Sequence, residues 1–144
     1  WIATDNLTFT LNTTFLETGY DTFLSQGDED YSGNKFTFAP DFKGYFGAEY
    51  FVPITTGELT INIDYSYASS QYTTPNNSEA DEIDSFNARI TYLSKDADWQ
   101  LSAWVKNIAD DEYLRNTNLN LLGARRVTYG EPITYGVNFK YMFE

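Results

Sequence analysis

Apolar and polar residues take turns at every second position along most of this chain, a period that fits strands and does not fit helices. Leu7, Phe9, Leu11, Thr13 and Phe15 share one parity, with Thr8, Thr10, Asn12 and Thr14 on the other. Phe42, Phe46, Ala48, Tyr50, Val52 and Ile54 likewise oppose Lys43, Gly47 and Glu49, with Tyr45 and Phe51 as aromatic exceptions on the polar side. Leu59, Ile61, Ile63, Tyr65 and Tyr67 oppose Thr60, Asn62, Asp64 and Ser66, and Phe86, Ala88, Ile90 and Tyr92 oppose Ser85, Asn87, Arg89 and Thr91. Trp99, Leu101, Ala103 and Val105 then face away from Gln100, Ser102, Trp104 and Lys106. The last run sets Ile133, Tyr135, Val137, Phe139, Tyr141 and Phe143 against Thr134, Gly136, Asn138 and Lys140. The expected fold class is all-β, an antiparallel up-and-down meander of about six long strands.

The connections alternate in length. Thr55-Thr56-Gly57 and the stretch from Ser94 to Asp98 are tight, whereas Asp21 to Asp41, Thr73 to Glu82 and Ile108 to Pro132 are long. In a meander successive connections fall at opposite ends, so the short turns share one end and the long loops the other. That asymmetry, with strands near the roughly 9 to 11 residues a transmembrane β-strand requires, is the pattern of an outer-membrane barrel. A soluble β-sandwich with an aromatic-rich core is the competing reading. The position of the large rings favours the barrel, because Tyr65, Tyr67, Phe86, Tyr92, Trp99, Tyr135, Tyr141 and Phe143 all lie on the apolar parity. They are the expected membrane-facing aromatic girdle, where an apolar body and a polar tip are both accommodated.

Composition narrows the chemistry further. There is no cysteine and no histidine in the 144 residues, which removes disulfides, thiol nucleophiles, His/Cys metal sites and imidazole acid–base catalysis. A formal charge of -12 withholds the phosphate attraction on which nucleic-acid binding depends, so no nucleic acid is expected as a partner. Aromatic residues make up 18% of the chain, too many for a disordered acidic polymer, and no apolar run reaches the length of a membrane helix. The carboxylate groups Asp28-Glu29-Asp30 and Asp110-Asp111-Glu112 lack a neighbouring apolar segment that would split their pKa values, so an enzyme is not expected.

The C-terminal third carries a resemblance. The segment Trp99-Gln-Leu-Ser-Ala-Trp-Val-Lys-Asn107-Ile-Ala-Asp110-Asp-Glu-Tyr113, followed by Pro132-Ile-Thr-Tyr-Gly136-Val-Asn-Phe-Lys-Tyr-Met-Phe143, resembles the closing hairpin of TonB-dependent outer-membrane receptors. Upstream, Ala39-Pro40-Asp41-Phe42 with Tyr50 and Pro53 is similar to the segment that re-enters that family's barrel from outside. The resemblance implies that residues 1–144 are the C-terminal portion of a 22-stranded barrel domain, with the plug domain in residues not present here. Physics agrees, since six strands would leave two unpaired edges in hydrocarbon. The implied partners are outer-membrane lipid, the remaining strands and plug of the parent chain, and a TonB-type energy-coupling protein acting through that plug. The implied function is energy-coupled uptake of a scarce nutrient, an iron–siderophore complex, across the bacterial outer membrane.

Within that frame few side chains invite a site. Arg115, Arg125 and Arg126 stand out in an acidic chain and could hold an anionic ferric chelate by bidentate contacts, the bland alternatives being pairing with Asp110, Asp111 or Glu112, or contact with lipopolysaccharide phosphates. Asp28, Asp30 and Ser32 open like a calcium loop, yet Ala39 stands where a closing bidentate carboxylate belongs. A hydrated turn is the plainer reading. Asn107 and Asp110 are expected to shape the exit of a strand by local side-chain to backbone bonds. No cofactor is expected. Two other functions compete: a small free-standing outer-membrane structural or adhesion barrel that closes by self-association, and a soluble carbohydrate-binding sandwich.

Overall fold

The computed structural model describes residues 1–119 and 124–143, and the backbone alone at 118, 119 and 125. Its strands are β1 (Ile2–Thr4), β2 (Leu7–Phe15), β3 (Phe42–Ile54), β4 (Gly57–Ala68), β5 (Gln71–Tyr72), β6 (Glu79–Ala80), β7 (Ile83–Ser94), β8 (Trp99–Lys106), β9 (Leu114–Leu119), β10 (Arg125–Tyr129) and β11 (Thr134–Tyr141). Seven of them form one sheet in the order β1-β2-β3-β4-β7-β8-β11, each strand antiparallel to its neighbour. The six long strands lie where the alternation puts them. The seventh, β1, is three residues long, too short to carry a period, and its sequence trace is the Asp5-Asn6 turn that folds it onto β2. β5–β6 and β9–β10 are small separate hairpins built into two of the long connections.

The register joins the strand patterns into two continuous faces. One row reads Leu7–Tyr50–Ile61–Ile90–Ala103–Val137 across six strands, and the adjacent row on the other face reads Thr8–Glu49–Asn62–Arg89–Trp104–Gly136. A slip of one residue in any strand would put its apolar set among the polar ones, so pattern and register reinforce each other. On the apolar face, Tyr92 packs on Trp99 and Trp99 on Phe139 near the short turns, at ring separations of 5.0 and 6.2 Å. Near the long loops Phe15 meets Phe42 at 4.9 Å and Phe42 meets Tyr67 at 6.0 Å, with Tyr65 opposite Phe86 one row in. Aliphatic Ile61, Ile63, Ile90, Val105 and Val137 fill the middle. Tyr135 stands in that middle, opposite Val105, and Phe143 lies past the end of β11 against Tyr141.

Among the described residues no second layer covers either face. Ala80 is the only buried apolar residue among those described, while Leu11, Phe46, Ile63, Ile90, Val137 and Phe139 are all exposed. The chain exposes 10313 Å², whereas a water-soluble monomer of this mass exposes roughly 7,500 Å² by size scaling. A sandwich would bury the apolar face against another sheet, so this observation removes the soluble carbohydrate-binding sandwich.

The aromatic exceptions on the polar side have a local cause. The Trp104 ring lies against Gly136, where an added Cβ would come within 2.7 Å of it, and the Tyr45 side chain similarly covers Gly47. A ring laid over a glycine shields the backbone that a missing side chain leaves bare. The Thr55-Thr56 turn is tight for a related reason: an added Cβ at Gly57 would sit 2.1 Å from the carbonyl oxygen of Leu93. Gly57→Ala must therefore push β4 and β7 apart, and should lower stability by about 1–3 kcal/mol in urea unfolding. Gly19→Ala, with no neighbour closer than 4.0 Å, should stay within about 0.5 kcal/mol.

Candidate functional site

All three long connections, residues 16–41, 69–82 and 107–133, leave the sheet at the end opposite the short turns. The first folds back on itself: Tyr20 N donates to Asn34 O at 3.0 Å, Tyr31 N to Phe23 O at 2.8 Å and Ser25 N to Glu29 O at 2.8 Å. Tyr20 gathers Phe23 and Phe36 at ring separations of 4.7 and 4.6 Å, which gives this loop a small apolar centre of its own. The second loop binds both of the others. Asn34 Nδ2 donates to Pro75 O at 2.7 Å and Phe38 N to Tyr72 O at 2.8 Å, tying the first loop to the second. Thr73 Oγ1 donates to Thr117 O at 2.7 Å, and Asp81 and Leu114 exchange bonds of 3.0 and 2.7 Å, tying the second to the third. Thr73, Ala80 and Thr117 are buried at these junctions, so the loops pack as one cap rather than as separate tails.

The base of the third loop is organised by Asn107. This residue is 5% exposed and has a φ of 49°, a left-handed conformation that Asn tolerates better than most side chains. Its Nδ2 donates to Asp111 O and Glu131 O at 3.1 and 3.0 Å, while its Oδ1 accepts from Asp111 N at 3.2 Å. Asp110, also left-handed at 55°, accepts from Ile133 N at 2.8 Å. The side chains thus do at the end of β8 what a ladder no longer can, and the expectation of local side-chain to backbone bonding is met.

Two recesses follow from this assembly. The first, about 560 Å³, lies between the second and third loops and is lined by Glu79, Asp81, Glu82, Asp84, Asp111 and Glu112, with Tyr113 alongside. Among the described residues no three acidic side chains are placed to hold one metal ion. The field here is negative, attracting cations and repelling anions. The second, about 370 Å³, lies on the polar face of the sheet and is lined by Thr8, Thr10, Glu49, Asn62, Asp64 and Arg89 among others. Sequence reading missed both: the first unites carboxylates from segments some 30 positions apart, and the second draws on four strands.

The residues singled out from sequence are placed as follows. Arg115 and Arg126 lie on the two strands of the β9–β10 hairpin and are exposed. The Arg125 side chain lies outside the described residues. Lys35–Asp41 is the only salt bridge among the described residues, so Asp110, Asp111 and Glu112 do not neutralise Arg115 or Arg126. In the first loop, Asp30 Oδ1 accepts from Ser32 N at 2.9 Å, Ser32 Oγ accepts from Phe23 N at 2.9 Å, and the Tyr31 phenol donates to Glu29. Hydrogen bonding from Ser32, side chain first and backbone second, holds the Asp30 carboxyl below the usual Asp range. The bond to Glu29 raises the Tyr31 phenol, and the bond to Asp41 raises Lys35. Asp28 sits at a φ of 60° in the turn of this small hairpin.

Neither a known family model nor a curated protein matches the sequence. Solved structures do match. The ferric yersiniabactin uptake receptor FyuA from Yersinia pestis superposes with a TM-score of 0.84 over 100% of this chain at 15% identity. BauA, the ferric preacinetobactin receptor from Acinetobacter baumannii, superposes with a TM-score of 0.72 over 95% of it at 19% identity. The chain has the fold of a receptor barrel wall. It spans about a fifth of either structure's length, 22% and 20% respectively. The sheet has β1 and β11 as its two edge strands, and its two faces are unlike, one apolar and one polar.

Asn107 is the side chain on which the loop end depends most directly. Asn107→Ala leaves two carbonyls and one amide in its surroundings without their partners, at a cost of about 1–3 kcal/mol. The expected result is faster backbone amide exchange at Asp111 and greater protease sensitivity between 107 and 133, with the β3–β4 ladder unchanged.

Proposed function

We propose that this chain is part of the transmembrane wall of a bacterial outer-membrane receptor, its apolar face toward lipid and its polar face toward the barrel interior. The three tied loops then stand outside the cell. By the family resemblance, the parent molecule is a TonB-dependent receptor that takes up a scarce nutrient, an iron–siderophore complex, when a TonB-type protein acts on its plug. The observation that carries the reading is the apolar face itself, exposed or half-exposed across the sheet, and on β4, β7 and β8 aliphatic at mid-height with aromatic residues toward the ends. The strand β7 runs from Ile83 to Ser94, roughly 36 Å along its axis and about 28 Å of membrane height at the usual barrel tilt. That is long enough to cross the apolar band of about 25 Å that such barrels present to lipid. The names of the two similar receptors support a ferric chelate as ligand. Arg115, Arg125 and Arg126 are the proposed ligand contacts, since Arg115 and Arg126 are exposed and form no salt bridge among the described residues.

The deciding experiment is the intact mass of the natural polypeptide extracted with detergent from outer membranes. A mass several times 16.5 kDa is expected. A mass near that value would establish a small self-associating barrel instead. Orientation is tested by a pair of variants on adjacent residues of β4. Ile61→Arg, at mid-height on the apolar face, should cost about 2–4 kcal/mol of folding stability in lipid. Thr60→Arg, on the opposite face, should cost less than about 1 kcal/mol, and equal penalties would overturn the assignment of faces.

A further inference from the structure

A chain of polar side-chain and backbone groups leads from the polar face of the sheet to the outer loops. Asp64, on β4, lines the 370 Å³ recess with Glu49 and Arg89. Its Oδ2 accepts a 2.7 Å bond from Nδ2 of Asn87, its partner across the ladder on β7. The other end of that amide, Asn87 Oδ1, accepts from the backbone N–H of Asn107 at 3.0 Å and from Ser85 Oγ at 3.2 Å. Asn107 holds the third loop through the carbonyls of Asp111 and Glu131. Four consecutive groups therefore link an interior carboxylate to an exterior loop base.

The order of donors and acceptors gives this chain a direction. An amide has one donor end and one acceptor end, and a carboxylate at Asp64 can only accept, so it obliges Asn87 to turn its NH2 toward β4. The carbonyl end is thereby aimed at Asn107. Reversed, Asn87 would present an NH2 group to the Asn107 N–H, leaving a buried donor without an acceptor. Asp64 makes no other hydrogen bond among the described residues and is half-exposed to the recess. A cationic group that enters the recess and draws the carboxylate toward itself removes the constraint on Asn87. Such a group shifts the equilibrium to the extent that it binds the released carboxylate better than the engaged one.

We propose that Asp64, Asn87 and Asn107 form a relay through which a cationic, hydrogen-bond-donating group in the interior recess loosens the base of the 107–133 loop. Asp64 is in this sense a positioning residue for a loop it does not touch. The inference rests on the proposal that the polar face lines the barrel interior. The Ile61→Arg and Thr60→Arg pair tests that proposal separately, whereas the relay is tested by exchange alone.

The measurement is backbone amide hydrogen exchange in the full-length parent protein in lipid nanodiscs, read at Asn107 and Asp111. Asp64→Ala and Asn87→Ala should each accelerate exchange there roughly fivefold. Asp64→Asn, whose carbonyl can still accept from Asn87, should stay near the parent rate and guards against a variant that fails to fold. Thr91→Val, on the same face and bonded to Ser102 at 3.1 Å, is the control and should change nothing at Asn107. Agmatine, as a small guanidinium probe, should accelerate exchange at Asn107 and Asp111 in the parent and not in Asp64→Asn. Acceleration by Asn87→Ala without acceleration by Asp64→Ala would end the relay at Asn87 and overturn the proposal. So would an agmatine effect that survives Asp64→Asn, or no agmatine effect in the parent.

Discussion

The structure depends on the ladder of backbone hydrogen bonds between sheet neighbours. A sheet with one apolar face and no layer packed on it gains nothing from a conventional core. Its stability instead comes from the ladder and, on the membrane reading proposed above, from a lipid that accepts the exposed apolar face. In hydrocarbon an unpaired N–H or C=O costs several kcal/mol, so a wall in lipid must pair every strand on both sides. The two-sided pairing of β2, β3, β4, β7 and β8 fits that requirement, whereas β1 and β11 are each paired on one side among the described residues. Turn geometry follows as well, since the Thr55-Thr56 turn and the Ser94–Asp98 turn return the chain directly to the next rung.

Beyond the end of the ladder the problem reverses. Residues 16–41, 69–82 and 107–133 have backbone groups to satisfy and little regular pairing to do it, and the solution is to bond to one another. The second loop is the hub because it lies between the other two in the meander, and its short β5–β6 hairpin offers polar backbone to both sides. Thr73 and Asp81 therefore matter more than their unremarkable residue types imply. Asn107 and Asn87 extend the same economy downward: the Asn107 backbone N–H donates to the Asn87 side-chain carbonyl, while the Asn107 side chain holds the loop base.

Strand positions were legible because an alternation of period two, sustained over eight or more residues, has one physical solution. Loop placement was legible for a similar reason, since a meander sorts its connections by end. The parity of the aromatic residues is a property of the strand pattern, but their height is not: Tyr135 stands opposite Val105, a placement set by register with β8. Strand β1 escaped notice for want of length. The acidic recess escaped because Asp81 and Asp111 belong to different loops, brought together by the bond between Asp81 and Leu114.

By itself the sequence determined the class of structure, the parity of each long strand and the end from which each loop departs. These are properties of local pattern, set by the pleat and by the reach of short turns. The tertiary structure decided which carboxylates share a recess, which loops hold one another, and that Asp64 and Asn107 are connected. Those are facts of register across strands and of contact between loops, and no window of sequence contains both partners.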